Sequence, residues 1–522
     1  MSEPFKEVKH RGLITGSVMI AMIMVILDTT IANVALPHMQ ASLGADQDTV
    51  TWVLTSYIVA QAIATPITGW LSDNIGRKRL FAVCVAGFVL SSALCGTALS
   101  LDEMVLFRVA QGAFGAALAP LSQSVILDIN PRERHGQAMA VWGMGIMIAP
   151  IIGPTLGAYL TDNFNWRWVF YVNVPVGVAA LTGVILFMPD TVRRLRKFDF
   201  IGFGLLAVGI GALQIMLDRG SQLDWFGSPE ILLETGIAIA AAWMFVVHTV
   251  THSEPFLDRR LFVDRNFTSA LVLIFIVGIV LLATMALLPP MLQNLMGYPI
   301  ITVGLVLAPR GIGTMAAMMV VGRLVGKIDP RLLVGFGLSM TALSLYQMTS
   351  FDIGMDYRPL IYSGVIQGFG LGFVFVPLTT VAFQTLDPQL RTEATGLFNL
   401  IRNIGSSIGI SIMAAWLTSN TQINHAALAS YISLFNPNLS VLSLPPATLT
   451  TPFGAPTMAQ LNGLVTQQAV MISYLDDFKA MFLITLTALP LLLLLRYKKP
   501  RPMAARPGQP AQQPEPAMVM AE

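Results

Sequence analysis

Apolar runs of about 20 residues recur near 13–36, 50–71, 80–99, 104–127, 137–160, 168–188, 199–218, 231–250, 267–289, 301–321, 332–350, 359–381, 393–417 and 479–496, separated by short polar segments. A helix needs roughly 20 apolar residues to cross about 30 Å of hydrocarbon. The pattern therefore predicts an all-α integral membrane protein of about fourteen transmembrane helices. Composition agrees: 54% of the 522 residues are hydrophobic and 11% charged, with a mean hydropathy of +0.68, more apolar than a water-facing domain sustains.

Charge adds a direction. Threaded through a membrane, the runs place 24 of the 31 Lys and Arg on one side and only Arg167, Arg219, Arg358 and Lys479 on the other, with Arg108, Arg310 and Arg402 inside runs. Basic residues accumulate in cytoplasmic loops, so both termini are expected in the cytoplasm. The net charge of +2 is then a topological bias and says nothing of nucleic acid. Cys84 and Cys95 share the third helix and sit too far apart along it to bond, which leaves no disulfide framework. The first run is too long for a cleavable signal and lacks a small-residue cleavage site.

The polar segment Gly69–Arg79, between the second and third helices, has a counterpart at Gly322–Arg331, between the tenth and eleventh. The repeat suggests a 6+2+6 arrangement: a cytoplasmic N-terminus (1–12), a six-helix bundle (13–190), an inserted helix pair (199–250) and a second six-helix bundle (267–496). The second bundle carries a long external loop (418–478). A cytoplasmic tail rich in Pro, Gln and Ala (500–522) is expected to be disordered. Parallel repeats of this kind build a midplane site between two rocking bundles.

Within the runs, ionisable residues are expensive and need a reason. Asp28 lies two-thirds of the way along the first helix. At 1.5 Å per residue, Asp28 and Arg108 both fall roughly 8–12 Å below the outer boundary, so they can face each other. Desolvation and a guanidinium act on a carboxylate in opposite senses, and changing their separation loads or releases a proton. The alternative is that Asp28 hydrogen-bonds Thr29, Thr30 or Asn33 and merely pins the bundle. In the loop, Gly76 permits a tight turn, while Asp73 and Arg77 can pair with each other or with Asp128 at the inner end of helix four. That pairing would clamp the inner face shut. Helix five holds Gly145, Pro150, Gly153, Pro154 and Gly157. Close packing explains its glycines as well as a role in the transport cycle does. Polar residues on the expected cavity helices are Asn33, Gln61, Gln111, Gln293, Gln367 and Asn399, joined by Arg310 and Arg402, for which no carboxylate partner is evident.

Five segments in order, Leu27–Pro37, Gly69–Arg79, Leu106–Gly112, Gly145–Gly157 and Asn165–Gly177, resemble motifs of the major facilitator superfamily, and more narrowly its fourteen-helix drug:proton antiporters of the EmrB type. Ala158 departs from a frequent glycine, and Gly322–Arg331 lacks the Asp-Arg-x-Gly core of the loop motif. The resemblance implies proton coupling at Asp28 and Arg108, and gating through Gly69, Asp73, Gly76, Arg77 and Asp128. It makes Gly145–Gly157 the antiporter motif, which argues against an importing symporter. It also implies a bacterial inner-membrane exporter whose external loop meets a periplasmic adaptor and an outer-membrane channel.

No Walker loop, metal-ligand cluster or nucleophile-and-base set stands in the sequence, so neither a cofactor nor an enzymatic site is expected and the drive is a proton gradient. The leading expectation is a proton-coupled antiporter of small amphipathic drugs or toxic compounds. The alternative is export of one natural compound, such as a fatty acid, siderophore or antibiotic, by the same machinery; a membrane enzyme or receptor ranks third.

Overall fold

The protein is described from a computed structural model covering residues 10–46, 49–131, 134–190, 193, 197–432 and 455–496. The N-terminal segment to residue 9, the centre of the external loop (433–454) and the tail (500–522) lie outside the described residues.

The helices, in order, are α1 (Arg11–Leu43), α2 (Trp52–Ala64, continued by Thr68–Ile75), α3 (Arg77–Thr97), α4 (Leu101–Ile129), α5 (His135–Asn163), α6 (Trp168–Phe187), α7 (Phe200–Arg219), α8 (Pro229–Thr251), α9 (Arg265–Leu295), α10 (Ile301–Leu324), α11 (Pro330–Met348), α12 (Tyr357–Gln384), α13 (Arg391–Ser430) and α14 (Ala455–Leu491). Twelve described helices are long and apolar enough to cross a membrane. The two other expected runs are helical but fall outside that set. The run at 50–71 breaks after Ala64, where Pro66 removes a backbone donor and clashes with the preceding turn; α11 is a helix of 19 residues. Several helices start on side-chain caps: the Ser100 Oγ accepts from the Glu103 N–H, the Asp199 carboxylate from Gly202 and the Asp264 carboxylate from Phe267. Each satisfies a donor that the first turn leaves open. Partial burial opposes the charge on Asp199, but the Gly202 N–H, the His248 ring and the Phe256 N–H outweigh it and hold this carboxyl below the usual carboxylate range.

Small residues let the helices approach closely. A Cβ on Gly368 of α12 would collide with the Arg310 carbonyl oxygen of α10, and one on Gly372 would lie 2.5 Å from Ala317 Cβ. Between the halves, α5 and α10 form a seam of the same kind: a Cβ on Gly143 would meet Met318, one on Gly311 would meet Ile151, and one on Gly322 would meet Ala140. Other ties between the halves lie on α4 and α13. Ser124 and Thr392 hydroxyls are 3.0 Å apart, Thr395 Oγ1 donates to the Pro120 carbonyl at 3.1 Å, and Asn399 Nδ2 donates to Gln123 Oε1 at 2.7 Å. The α4–α13 ties belong to the end of the molecule that carries the start of α1 and the finish of α14, so the bundles are closed there.

The inserted pair lies against both halves. Ser411 of α13 donates to the Leu217 carbonyl of α7 at 2.7 Å, and Thr55 of α2 donates to Asp218. At the far end, α13 has 40 residues and α14 has 37. At 1.5 Å per residue each spans roughly 55–60 Å, about twice the hydrocarbon thickness. The excess forms an antiparallel helical arm fastened by Asn424 Nδ2 on Ser473 Oγ and by a His425–Asn462 contact, both 3.0 Å. Gln467 ties it to the Leu295 carbonyl at 3.2 Å. The segment expected to leave helix at Thr418 therefore stays helical to Ser430. Loss of hydrophobicity marks where the membrane stops, and Gln, Ala and Leu carry the helix onward in water.

Candidate functional site

Asp28 and Arg108 are both completely buried and paired, Arg108 Nη1 donating to Asp28 Oδ2 at 2.7 Å. The other carboxylate oxygen accepts from Gln111 Nε2 at 2.8 Å and Asn173 Nδ2 at 2.7 Å. Arg108 Nη1 also reaches Gln111 Oε1 at 2.8 Å, and Nε donates to the Val53 carbonyl at 2.9 Å. The guanidinium lies 4.3 Å over the Tyr57 ring, a cation–π contact strengthened by desolvation. Asn173 continues to Ser92 Oγ at 3.0 Å. Three helices (α1, α4 and α6) thus meet at one carboxylate, with α3 joined to it through Asn173 and α2 closing over the arginine. Three donors, one of them charged, are spent on the Asp28 carboxylate. Among the described residues, Arg108 Nη2, the Tyr57 hydroxyl and Asn173 Oδ1 are buried without partners. Unspent hydrogen-bonding capacity therefore lies around the carboxylate, as a group that exchanges partners needs.

The alternative partners weighed for Asp28 turn elsewhere. Thr29 and Thr30 bond back to carbonyls one turn earlier on α1, and Asn33 is exposed. Gln111, expected in the cavity, belongs to the ion-pair network instead. Asn173, not among the expected site residues, stands in the last of the five motif segments with apolar residues on both sides. Of the helix-five motif, Gly145, Gly153 and Gly157 all face α1, where added Cβ atoms would meet Met19, Thr30 and Ile31. Their packing partner is thus the helix that carries Asp28. Pro154 stands within the helix, and Pro150 follows the kink at Met147.

At the closed end, Asp128 holds two arginines at once: Arg77 of its own half and Arg391 Nη1 of the other, the latter at 2.8 Å. Arg391 opens α13, and nothing in the local sequence linked it to the loop motif. Gly76 has φ +92°, a conformation glycine takes at little cost. Gly69 lies against α13, where a Cβ would stand 3.0 Å from the Glu393 Cα. Glu393 in turn accepts from the Asp258 N–H at 2.5 Å, joining the connector between α8 and α9 to the clamp. Asp73 also has an interaction partner.

In the second half, Arg310 is buried and donates from Nη2 to the Leu281 carbonyl at 3.4 Å. Among the described residues the Arg402 guanidinium reaches the Asn403 side chain alone, also at 3.4 Å, and its backbone carbonyl packs on Gly278, one turn before Leu281 on α9. Neither forms an ion pair with any described residue. Gln367 Nε2 contacts Thr284 at 3.3 Å while its Oε1 is buried without a donor. Asn399 ties the halves together, and Gln61 and Gln293 are half-buried.

The sequence profile of the Major Facilitator Superfamily matches residues 18–410. The multidrug export protein EmrB of Escherichia coli (strain K12) is 39% identical over 437 residues, covering 82% of this chain and 85% of its own length. The fatty acid resistance protein FarB of Neisseria gonorrhoeae is 35% identical over 485 residues, covering 92% and 96%. The proton:xylose symporter XylE, a solved structure, overlays with a TM-score of 0.56 at 13% identity, covering 92% of this chain and 96% of that one; this likeness is one of fold alone.

Proposed function

Because the chain belongs to the major facilitator superfamily, we propose that it is a proton-coupled antiporter that exports small amphipathic compounds across a bacterial inner membrane, with both termini in the cytoplasm. It is a multi-pass membrane transporter whose relatives include multidrug exporters. The observation that carries the proton-coupled reading is a fully buried carboxylate held by Arg108, Gln111 and Asn173. With the cytoplasmic end closed, a proton arriving from outside neutralises Asp28, and Arg108 turns to Gln111 and the Val53 carbonyl. The loosened α1–α4 contact lets the bundles rock, breaking the Arg77–Asp128–Arg391 clamp. Facing the cytoplasm, the site binds substrate and releases its proton, and the pair re-forms as the molecule returns.

A second reading, export of one amphipathic acid by the same cycle, is favoured by Arg310 and Arg402. A cation at membrane depth pairs or faces a wet cavity, and these two find no carboxylate among the described residues. Transport into everted vesicles tests both readings. The broad reading expects proton-driven uptake of acidic and basic amphiphiles alike, whereas the narrow one expects uptake of one acid, lost in Arg310→Gln and Arg402→Gln. Uptake that ignores the proton gradient contradicts both.

The helical arm is the proposed surface for a periplasmic adaptor that leads to an outer-membrane channel. Ile423 and Leu464 are 62% and 51% exposed on it, and exposed apolar side chains rimmed by polar ones mark contact sites. Ile423→Asp combined with Leu464→Asp is expected to leave transport in proteoliposomes unchanged and to abolish both adaptor co-purification and cellular resistance. Retained co-purification places docking elsewhere.

A further inference from the structure

The start of α7, the last turn of α8 and the connector that follows bring together three metal-ligating side chains that the transport cycle leaves unused. His248 stands in the last turn of α8 and His252 caps its C-terminus four residues on, so both project from the same side of the helix end. Their rings stack with centroids 4.8 Å apart and planes inclined by 17°. Asp199 faces them from α7, its two oxygens 3.0 and 2.9 Å from His248 Nε2. One ligand atom from each of the three lies within 4.8 Å of the others.

We propose that Asp199, His248 and His252 form a binding site for a divalent transition-metal ion of the Zn2+ class. Two neutral imidazoles and one carboxylate form a ligand set that suits Zn2+ and disfavours Mg2+ and Ca2+, which take oxygen donors. A simple Asp–His pair accounts for His248 but leaves the stacked, exposed His252 without a purpose. The carboxylate is also oriented as a metal ligand requires, because Gly202 N–H donates to one oxygen at 2.9 Å and Phe256 N–H to the other at 3.0 Å. Outer contacts of this sort fix a ligand's direction. Closing three ligands on one ion requires the surface imidazole of His252 to rotate and the direct His248–Asp199 contact to open, because an ion about 2.0–2.2 Å from each ligand takes its place between them, with water completing the shell.

The site has a mechanical consequence. An ion there fastens the first turn of α7 to the last turn of α8, and through Phe256 holds the connector whose Asp258 N–H binds Glu393 beside the Arg77–Asp128–Arg391 clamp. A bound ion thus braces the inserted pair against the second half.

Zn2+ titrated into purified full-length protein free of any polyhistidine tag, followed by calorimetry and by thermal unfolding, tests the site. The expected result is one saturable Zn2+ per chain in the micromolar range, a raised melting temperature, and no competition from excess Mg2+ or Ca2+. His252→Ala, a surface change that leaves the fold alone, is expected to weaken binding at least tenfold and to erase the thermal shift. Asp199→Asn removes a charged ligand outright and is expected to cost at least the roughly 10- to 100-fold that disturbing a ligand's surroundings costs. Absence of saturable binding overturns the proposal, as does Zn2+ affinity unchanged in His252→Ala.

Discussion

Asp28→Asn is expected to abolish proton-driven export, and the structure shows how to separate that effect from simple damage. The amide keeps the shape and most hydrogen bonds of the carboxylate but leaves Arg108 buried with an uncompensated charge. Removing one partner of a buried pair costs about 3–5 kcal/mol, so the single variant is also expected to melt at a lower temperature. Asp28→Asn combined with Arg108→Gln removes both charges, and replacing both members of such a pair is often near neutral. The double variant is therefore expected to regain thermal stability, to bind substrate within about tenfold of wild type, a change of less than about 1.4 kcal/mol, and still to export nothing against a gradient. If Asp28 only pins the bundle, the restored fold restores transport. Melting curves and vesicle uptake on the same preparations distinguish the two outcomes.

Asp128→Asn is expected to shift the resting population toward the state open at the terminus-bearing end. One carboxylate holds Arg77 and Arg391 together, so its loss releases both halves at a stroke. Asp128 is 27% exposed at its side chain, and solvent screening reduces the worth of such a pair. An effect of about 1–2 kcal/mol remains, or roughly 5- to 30-fold in population. Thiol labelling of Ser124→Cys, at the α4–α13 contact, reports it as a faster rate, and Arg391→Ala is expected to act in the same direction. Lys78→Ala, beyond the clamp, is expected to leave the rate unchanged. Equal rates in all three variants reduce the loop motif to a topological signal.

The helices were legible because membrane-spanning runs are set by composition alone, and the depth match of Asp28 with Arg108 followed from the rise per residue. What escaped the sequence was lateral. Depth does not say which face a side chain takes, so Gln111 was grouped with cavity residues although it lies one turn from Arg108 on the same face and bonds to the same carboxylate. Asn173 and Arg391 reach their partners across helices 145 and 263 positions distant in sequence, and no local pattern encodes such contacts. The α13 half of the arm was missed for a different reason: hydropathy reports the edge of the bilayer, while α13 continues past it as water-exposed helix to Ser430. The motif in α5 was readable as glycine spacing, but only packing shows that its partner is α1, and therefore that small residues there set how closely two helices can approach around Asp28.

The coupling of substrate movement to proton movement through Asp28 is tested most directly in sealed proteoliposomes carrying an internal pH indicator. Adding an amphipathic substrate to one side, with no imposed gradient, is expected to drive protons in the opposite direction with wild-type protein, and to drive none with the stable Asp28→Asn/Arg108→Gln variant, although that variant still binds the substrate. Substrate-driven proton movement that persists in the double variant contradicts the account.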